Sequence, residues 1–328
     1  MSKKENQNKA IIIFGPTCSG KSAAALALAA ELGTEIISAD SMQIYRLMDI
    51  GTAKPTKAAL SLVPHHLTDV IWPHEQWSAG SFVREASAIM SRLASEGKIP
   101  IIAGGTGLYI RTLTGGLMRA PEADDELRAA LCGERDRGQQ LHAVLQDRDP
   151  ETARLLAPSD TRRIIRALEV LFKTGKAISE LKGETVPLPY DFIKTGLTRT
   201  REELYRLIDE RTDRMFEEGL LEEAKRLFAL PGPPSKTALQ AIGYKELRDH
   251  LNGLYPYGEA VRLIKRNTRR YAKRQFTWFK KEEGVLWVDV TGLVSPEEIY
   301  GRFREALLES HPEIFSWNPG SNRPPAAS

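Results

Sequence analysis

The chain has very little cysteine and no long apolar segment. Only Cys18 and Cys132 occur among 328 residues, with no C-x-x-C pair and no Cys/His spacing suited to zinc. No apolar run approaches the roughly 18 residues of a membrane span. The first nine residues are polar and lack the apolar segment of a secretory signal. We therefore expect a cytoplasmic protein that makes no membrane contact.

Charge of one sign does not dominate the chain either, since the net charge is only +3. The distribution is more informative, because residues 262–281 contain nine Lys or Arg and no acid. Such a block is typical of a surface that binds a polyanion. A solvated helix face is the alternative, and composition does not separate the two. With 328 residues and 41% hydrophobic content, we expect two domains, or one domain with a large insertion.

A complete phosphate-binding signature, G-x-x-x-x-G-K-[ST], lies near the start of the chain. It follows the apolar run 11–14 and precedes the Ala-rich segment 23–28, which predicts a strand, a loop and a helix in that order. A glycine-rich turn that binds nothing is the alternative. We expect the loop to bind a diphosphate or triphosphate, with Lys21 on the outer phosphate and the Ser22 hydroxyl on Mg²⁺. The signature residues are Gly15, Pro16, Thr17, Cys18, Ser19, Gly20, Lys21 and Ser22.

Two further candidate segments follow predicted strands. Asp40 ends the apolar run 35–40, and a glycine-rich turn, 104–107, follows the run 99–103. Ligands of open α/β sheets lie beyond the carboxyl ends of the strands, so both segments should face the phosphate loop. The alternatives are a capping role for Asp40 and a plain tight turn at 104–107. The adjacent histidines at 65 and 66 point to opposite sides of an extended chain, which favours a structural role over metal binding.

The alternation of strands and helices stops at about residue 115. Residues 124–172 are predicted to be almost wholly helical, and strand character returns at 191–197 and 285–290. These patterns predict an α/β fold with a P-loop NTPase-like parallel sheet core, 10–114 and 191–292, and an inserted all-helical domain, 115–190. Helices are predicted over 201–230 and from 240 onward. The Pro-, Gly- and Ser-rich tail, 318–328, is predicted to be disordered.

The motifs in this order closely resemble those of the bacterial tRNA dimethylallyltransferase family, from about residue 10 to 290. Members usually carry Ala in place of Cys18 and often Thr in place of Ser22, and both differences preserve size or the metal-binding hydroxyl. The matching segments are GPTCSGKS at 15–22, DSMQIYR at 40–46, HHLTD at 65–69, GGTGLY at 104–109, RALEV at 166–170, QAIGYK at 240–245 and KRQFTWF at 273–279.

The resemblance implies that a dimethylallyl group moves from dimethylallyl diphosphate to N6 of adenine 37, in the anticodon stem-loop of tRNA. Mg²⁺ is the implied cofactor, and we expect a monomer. N6 is a weak nucleophile and needs a base, for which Asp40 is placed. The resemblance adds Arg211 to the diphosphate clamp and Thr106 to the reaction channel. It implies tRNA contacts for Asp40, Ser41, Met42, Gln43, Thr106, Arg128, Arg162, Arg163, Ile164, Ile165, Arg166, Gln240, Ala241, Ile242, Gly243, Tyr244, Lys245, Lys273, Arg274 and Gln275.

Three other functions are compatible with parts of this pattern. A small-molecule kinase shares the phosphate loop, but it leaves the long insertion and the basic block 262–281 without a role. An isopentenyltransferase acting on free AMP or ADP uses the same core chemistry, so only the RNA-binding parts distinguish it. An RNA-binding protein with a degenerate nucleotide site is disfavoured by the intact Lys21, Ser22 and Asp40.

Overall fold

The computed structural model describes residues 8–118, 120–136 and 140–317. Within them the chain forms two compact units. One comprises the chain up to Thr112 and from Pro189 onward, and the other spans Leu113–Leu188. The first unit contains the sheet and the second is helical. The tail 318–328, predicted to be disordered, lies outside the described residues.

Six parallel strands form one sheet in the order β3-β2-β4-β1-β5-β6. The apolar run of β1 is fully buried at Ile11–Phe14, as expected for a central parallel strand covered on both faces. The predicted P-loop NTPase-like fold class is confirmed. The strands are β1 (Asn8–Phe14), β2 (Ile36–Ser38), β3 (His65–His66), β4 (Ile101–Gly104), β5 (Tyr190–Thr198) and β6 (Val285–Asp289).

The described residues form helices of widely different length. The short 3₁₀ helices Ala238–Gln240 and Pro312–Ile314 accompany them. The α-helices are α1 (Lys21–Glu31), α2 (Lys57–Leu62), α3 (Ala79–Ser95), α4 (Gly107–Gly115), α5 (Asp125–Asp136), α6 (Leu141–Arg148), α7 (Pro150–Arg154), α8 (Thr161–Thr174), α9 (Ile178–Gly183), α10 (Arg201–Glu217), α11 (Leu220–Phe228), α12 (Tyr244–Leu251), α13 (Tyr257–Phe279) and α14 (Pro296–Ser310).

Helices α1 and α14 belong to the hydrophobic core that covers the central strands. Leu28 of α1 and Phe303 of α14 are fully buried in the same cluster as Ile11 and Ile13 of β1. Helix α14 begins with a capping box, in which Ser295 accepts the Glu298 N–H and Glu298 accepts the Ser295 N–H. The sheet-containing unit therefore extends beyond residue 292, where the sequence-based core boundary was set.

One predicted helix differs from the structure. The predicted helix 201–230 consists of α10 and α11, because the chain turns at Gly219, whose φ of +100° is a left-handed conformation that glycine adopts at little cost. The two adjacent histidines form the edge strand β3. On β3, His66 contacts Glu35 at 2.6 Å and His65 contacts the Val63 carbonyl at 2.8 Å, which agrees with the structural role expected for the pair.

Within the helical unit, α5 to α8 share one core that includes Leu145 and Leu168, both fully buried. The carboxylate of Glu169 is also fully buried and binds the guanidinium groups of Arg128 and Arg166. Burial alone would raise the pKa of Glu169, but these two partners lower it overall. Among the helices of the described residues, none is long and apolar enough to cross a bilayer.

Candidate active site

The sheet order brings the candidate loops together. Strands β2, β4 and β1 are neighbours, so the loops that follow them open at the same edge of the sheet. Arg211 reaches this edge from α10. A cleft here is lined by Thr17, Lys21, Ser22, Asp40, Gln43, Gly51, Thr52, Ala53, Ala103, Gly104 and Arg211.

The phosphate loop has the backbone that its sequence requires. Gly15 has a φ of +153°, and a Cβ there would lie 2.6 Å from the Leu197 carbonyl oxygen, so only glycine fits. Gly20, with a φ of +91°, immediately precedes α1. The first turn of α1 contains no acid, which leaves its N–H groups and positive dipole end for an anion. Cys18 also takes a positive φ, +65°, and its thiol lies 3.8 Å from the Leu207 carbonyl, within the protein.

Two cationic side chains line the cleft without a carboxylate partner among the described residues. The Lys21 ammonium is 3.4 Å from the Pro16 carbonyl, and the Arg211 guanidinium donates to the Thr17 hydroxyl. Burial lowers the pKa of Lys21, the charge of Arg211 lowers it further, and the Asp40 carboxylate opposes both. Two like charges facing one cleft are stabilised by a bound anion, and a diphosphate supplies the charge they lack.

Asp40 lines the same cleft as these cations and follows the carboxyl end of β2. Its Oδ1 accepts the N–H of Met42 at 2.9 Å and that of Gln43 at 3.4 Å, which fixes the carboxylate on a tight turn. The Thr106 hydroxyl accepts the Ser41 N–H at 2.9 Å. The structure therefore brings together five of the predicted residues from two separate segments, Asp40, Ser41, Met42, Gln43 and Thr106.

The glycine-rich turn after β4 is explained by contacts inside the protein. A Cβ on Gly104 would lie 2.2 Å from the Ala39 carbonyl oxygen, and a Cβ on Gly105 would lie 2.2 Å from Nε2 of Gln275. The space beside these two glycines is taken by Ala39 and by a side chain of α13. Gly104 also lines the cleft, and a close approach of substrate at this turn stays a prediction.

The cleft suits a magnesium ion that is shared with a phosphate ligand. The exposed Ser22 hydroxyl makes no hydrogen bond within the described ranges and lines the same cleft as Asp40. Across these ranges no group of three or more His, Cys, Asp or Glu side chains could hold a metal by itself. Mg²⁺ commonly binds through one or two protein oxygens, with waters and phosphate oxygens completing the shell. The residues present fit that mode.

Comparisons with known proteins identify the family of this chain. Residues 43–282 match the IPP transferase family, and residues 8–67 match the isopentenyl transferase family. The tRNA dimethylallyltransferase of Thermodesulfovibrio yellowstonii is 46% identical over 312 residues, covering 92% of this chain and 99% of that protein. This chain belongs to the tRNA dimethylallyltransferase family. The enzyme of that name from Geobacter sulfurreducens is 48% identical over 290 residues, covering 87% of this chain and 93% of that protein.

Solved structures of the family lead to the same conclusion. The full-length tRNA isopentenylpyrophosphate transferase of Bacillus halodurans is 38% identical, with a TM-score of 0.65 and coverage of 93% of this chain and 100% of that one. A eukaryotic dimethylallyltransferase acting on tRNA is 29% identical with a TM-score of 0.80, covering 98% of this chain and 81% of that one. The resemblance inferred from the motifs is confirmed, and the kinase alternative is excluded.

The basic block 262–281 lies mostly on α13. Lys265 pairs with Asp213 at 2.6 Å and Arg269 pairs with Asp209 at 2.6 Å, so part of the charge is neutralised locally. Three other basic residues are exposed along one face of the helix, with no carboxylate within 4.0 Å among the described residues. We name this the exposed stripe, and it consists of Arg270, Lys273 and Arg274.

The remaining predicted tRNA-binding residues of the sheet-containing unit divide by exposure. Gln240 and Lys245 are exposed and Ile242 is half-buried, whereas Ala241, Gly243 and Tyr244 are buried. The Tyr244 hydroxyl donates to Glu223. Gln275 is buried as well, and both ends of its amide are hydrogen-bonded within the protein. Whether these side chains contact tRNA stays a prediction.

The predicted tRNA-binding residues of the helical unit also divide into exposed and buried ones. Arg162 and Arg163 are exposed, while Ile164 and Ile165 are buried in the helical core. Arg163 pairs with Asp160 at 3.3 Å. Arg128 and Arg166 are half-buried, and their charges are paired with the buried carboxylate of Glu169. Among these four arginines, Arg162 alone has no carboxylate within 4.0 Å in the described part of the chain.

Sequence reasoning missed two residues of the site. Tyr271, one turn before Gln275 on α13, lies beside Asp40. Burial raises the pKa of its hydroxyl and the nearby Asp40 charge raises it further, against the charge of Arg274. Its spacing of four residues from Gln275 was the available signal. Glu223 of α11 is the other, and no local pattern distinguishes it from the exposed Glu222 beside it.

Proposed function

We propose that this chain transfers a dimethylallyl group from dimethylallyl diphosphate to N6 of adenine 37 in tRNA and releases diphosphate. The observation that carries the proposal is that Lys21 and Arg211 line one cleft together with the carboxylate of Asp40. The two cations would bind the diphosphate, and the carboxylate would accept the proton that the amine loses. All of these groups come from one chain, so we propose a monomer as the active form.

The proposed reaction is a displacement at the allylic C1. The N6 lone pair forms the new C–N bond while the C1–O bond breaks, and its electron pair leaves with the diphosphate. The proton lost from N6 passes to Asp40, since the amine acquires positive charge as the bond forms. Lys21, Arg211 and the N–H groups at the start of α1 stabilise the charge of the departing diphosphate. Mg²⁺ held by Ser22 would neutralise further charge on the phosphate oxygens.

The acceptor has to enter this cleft as a single base. A base stacked within the anticodon loop cannot reach a carboxylate at a strand end, so we propose that adenine 37 is flipped out toward Asp40. The exposed stripe on α13 supplies cations for the RNA backbone. Arg162 and Arg163 of the helical unit supply two more exposed cations.

A free adenine nucleotide is the second candidate acceptor. The match of residues 8–67 to the isopentenyl transferase family covers the phosphate loop and Asp40, which such an enzyme shares. The exposed stripe favours tRNA, because a mononucleotide needs no row of cations along a helix face.

One assay tests the proposal against this alternative. The full chain is incubated with Mg²⁺, labelled dimethylallyl diphosphate and one of three acceptors: unmodified tRNA with adenine at position 37, the same tRNA with guanine there, or AMP. We expect label only in the first RNA, with one diphosphate released per group transferred. Label in AMP alone would assign the free nucleotide as acceptor, and equal label in both RNAs would contradict the assignment of adenine 37.

A further inference from the structure

Part of the cleft is lined by a short segment that we name the cleft wall, residues 49–53. Gly51, Thr52 and Ala53 line the cleft together with Lys21 and Asp40. Ala53 at the end of this segment has a φ of +51°, and Leu47 just before the segment has a φ of +65°, although neither is glycine. Such conformations persist only where surrounding contacts hold them, and they cluster at functional sites.

The carboxylate of Glu223 contacts the backbone of the first three residues of the cleft wall. This side chain belongs to α11, and the residue is only 4% exposed. It accepts the backbone N–H groups of Asp49 at 3.0 Å, Ile50 at 2.9 Å and Gly51 at 3.1 Å, together with the Tyr244 hydroxyl. No cation lies within 4.0 Å of it among the described residues, so these donors alone satisfy the buried charge.

Gly51 fits the same arrangement sterically. A Cβ on Gly51 would lie 2.5 Å from the Tyr244 ring, so any side chain would force the cleft wall away from α12. On the other side, the buried Lys54 ammonium donates to the Tyr45 carbonyl and to the Asp49 carboxylate, both at 2.6 Å. The cleft wall is therefore held from both sides, with Glu223 at its centre.

A continuous chain of hydrogen bonds joins the cleft wall to Asp40. The side-chain NH₂ of Gln43 donates to the carbonyls of Thr52 at 3.2 Å and Ala53 at 3.1 Å. Its carbonyl oxygen accepts from the Ser38 hydroxyl at 2.9 Å, and its backbone N–H is 3.4 Å from Asp40 Oδ1. Glu223 therefore fixes the cleft wall, and Gln43 links the cleft wall to the carboxylate that is proposed as the base.

We propose that Glu223 is a positioning residue for the acceptor side of the cleft. It holds the backbone of residues 49–51 in place, and through Gln43 it sets the orientation of Asp40. It touches neither the phosphate loop nor Arg211, so its effect falls on the transfer step and on the acceptor, not on capture of the diphosphate. The inference rests on the proposed prenyl transfer.

The test is the substitution Glu223→Gln, which keeps the size but replaces one acceptor oxygen with an NH₂ group facing backbone donors. We expect kcat/KM for tRNA to fall by about tenfold to a hundredfold, the scale of loss from a small misplacement of reacting groups. The Kd of dimethylallyl diphosphate should stay within about twofold of wild type. The matched control is Glu222→Gln, because Glu222 is exposed and pairs only with Lys225 among the residues that the structure describes.

Two measurements separate positioning from a general loss of stability. Hydrogen exchange of the amides of residues 49–51 should accelerate in Glu223→Gln, while the amides of β1 and β4 keep their wild-type rates. A double-mutant cycle with Gln43→Ala should be strongly non-additive, because both changes interrupt the same chain.

Unchanged exchange at 49–51, equal losses in donor binding and in transfer, or simple additivity with Gln43→Ala would each overturn the positioning role. Hydrogen exchange can be measured on protein that has no transferase activity. If the wild-type enzyme failed to modify tRNA, the proposed function would be contradicted, while hydrogen exchange at residues 49–51 would still test whether Glu223 holds the cleft wall.

Discussion

Thr17 and Gln275 are separated by 258 positions in the chain, yet the Thr17 backbone N–H donates to the Gln275 side-chain oxygen at 2.9 Å. The NH₂ group of the same amide donates to the Gly105 carbonyl at 2.9 Å. Gln275 therefore joins the phosphate loop to the turn after β4. It is flanked on α13 by the exposed stripe, so one helix bears the candidate RNA surface and also contacts the phosphate loop.

Replacing Asp40 with Asn should abolish most turnover while leaving binding intact. The amide cannot take the N6 proton, and a positioned general base contributes about two to four decades in rate. Single-turnover transfer to tRNA measures the loss, and filter binding measures tRNA affinity. The control is Asp191→Asn, since Asp191 lies at the amino end of β5, on the other edge of the sheet. Near-normal transfer by Asp40→Asn would remove this carboxylate from the mechanism.

Replacing Lys21 with Ala should weaken the diphosphate donor more than the tRNA. Lys21 and Arg211 are the cations of the cleft, and loss of one removes part of the charge that compensates the diphosphate. We expect the KM for dimethylallyl diphosphate to rise and kcat to fall, with an unchanged Kd for tRNA.

Removal of Mg²⁺ with EDTA should abolish transfer, and Ser22→Ala should raise the Mg²⁺ concentration needed for transfer. Full activity in excess EDTA would contradict the metal role of Ser22.

Neutralising the exposed stripe should weaken tRNA binding and make it less dependent on salt. For Arg270→Gln with Arg274→Gln, the log–log salt slope should decrease by about 0.7–0.9 for every RNA phosphate that is no longer neutralised. The matched control is Lys265→Gln with Arg269→Gln, which removes the same charge from residues already paired with Asp213 and Asp209. Equal slopes for both double variants would show that only the net charge matters and that the stripe makes no specific contact.

Acid should weaken the fold through Glu35. Hydrogen bonds from Arg92 lower its pKa to about 2 against the opposing effect of burial, and His66 contributes in the same direction as Arg92. A depressed carboxylate pKa stabilises the fold above the ordinary value of 4.5, and this stabilisation is lost as the pH falls toward 2. Glu35→Gln should lower the free energy of unfolding by about 1–3 kcal/mol at neutral pH and very little near pH 2. Urea unfolding of this variant and of the exposed control Glu85→Gln measures the difference.

Local patterns were sufficient for the parts of the site that follow a strand directly. The phosphate loop, Asp40 and the turn 104–107 were identified because each follows an apolar run at its carboxyl end, where an open parallel sheet binds ligands. The roles of Thr106 and Arg211 came from the family resemblance. Helix α14 was missed although its start, SPEE at 295–298, has the pattern of a capping box. The break between α10 and α11 at Gly219 was missed because charged, helix-favouring residues continue on both sides of it.

The sequence by itself determined the fold class, the phosphate-binding loop, the carboxylate beside it and the family, because these depend on contiguous residues whose spacing carries the mechanism. Only the tertiary structure decided which Lys and Arg side chains form ion pairs with carboxylates of the protein. It paired Lys265 and Arg269 with acids of α10, engaged Arg128 and Arg166 on the buried Glu169, and left the exposed stripe without a carboxylate partner in the described part of the chain. It also brought Glu223 to the cleft wall, 172 to 174 positions away in the chain. Such pairings depend on distances between elements remote in sequence, and no local periodicity encodes them.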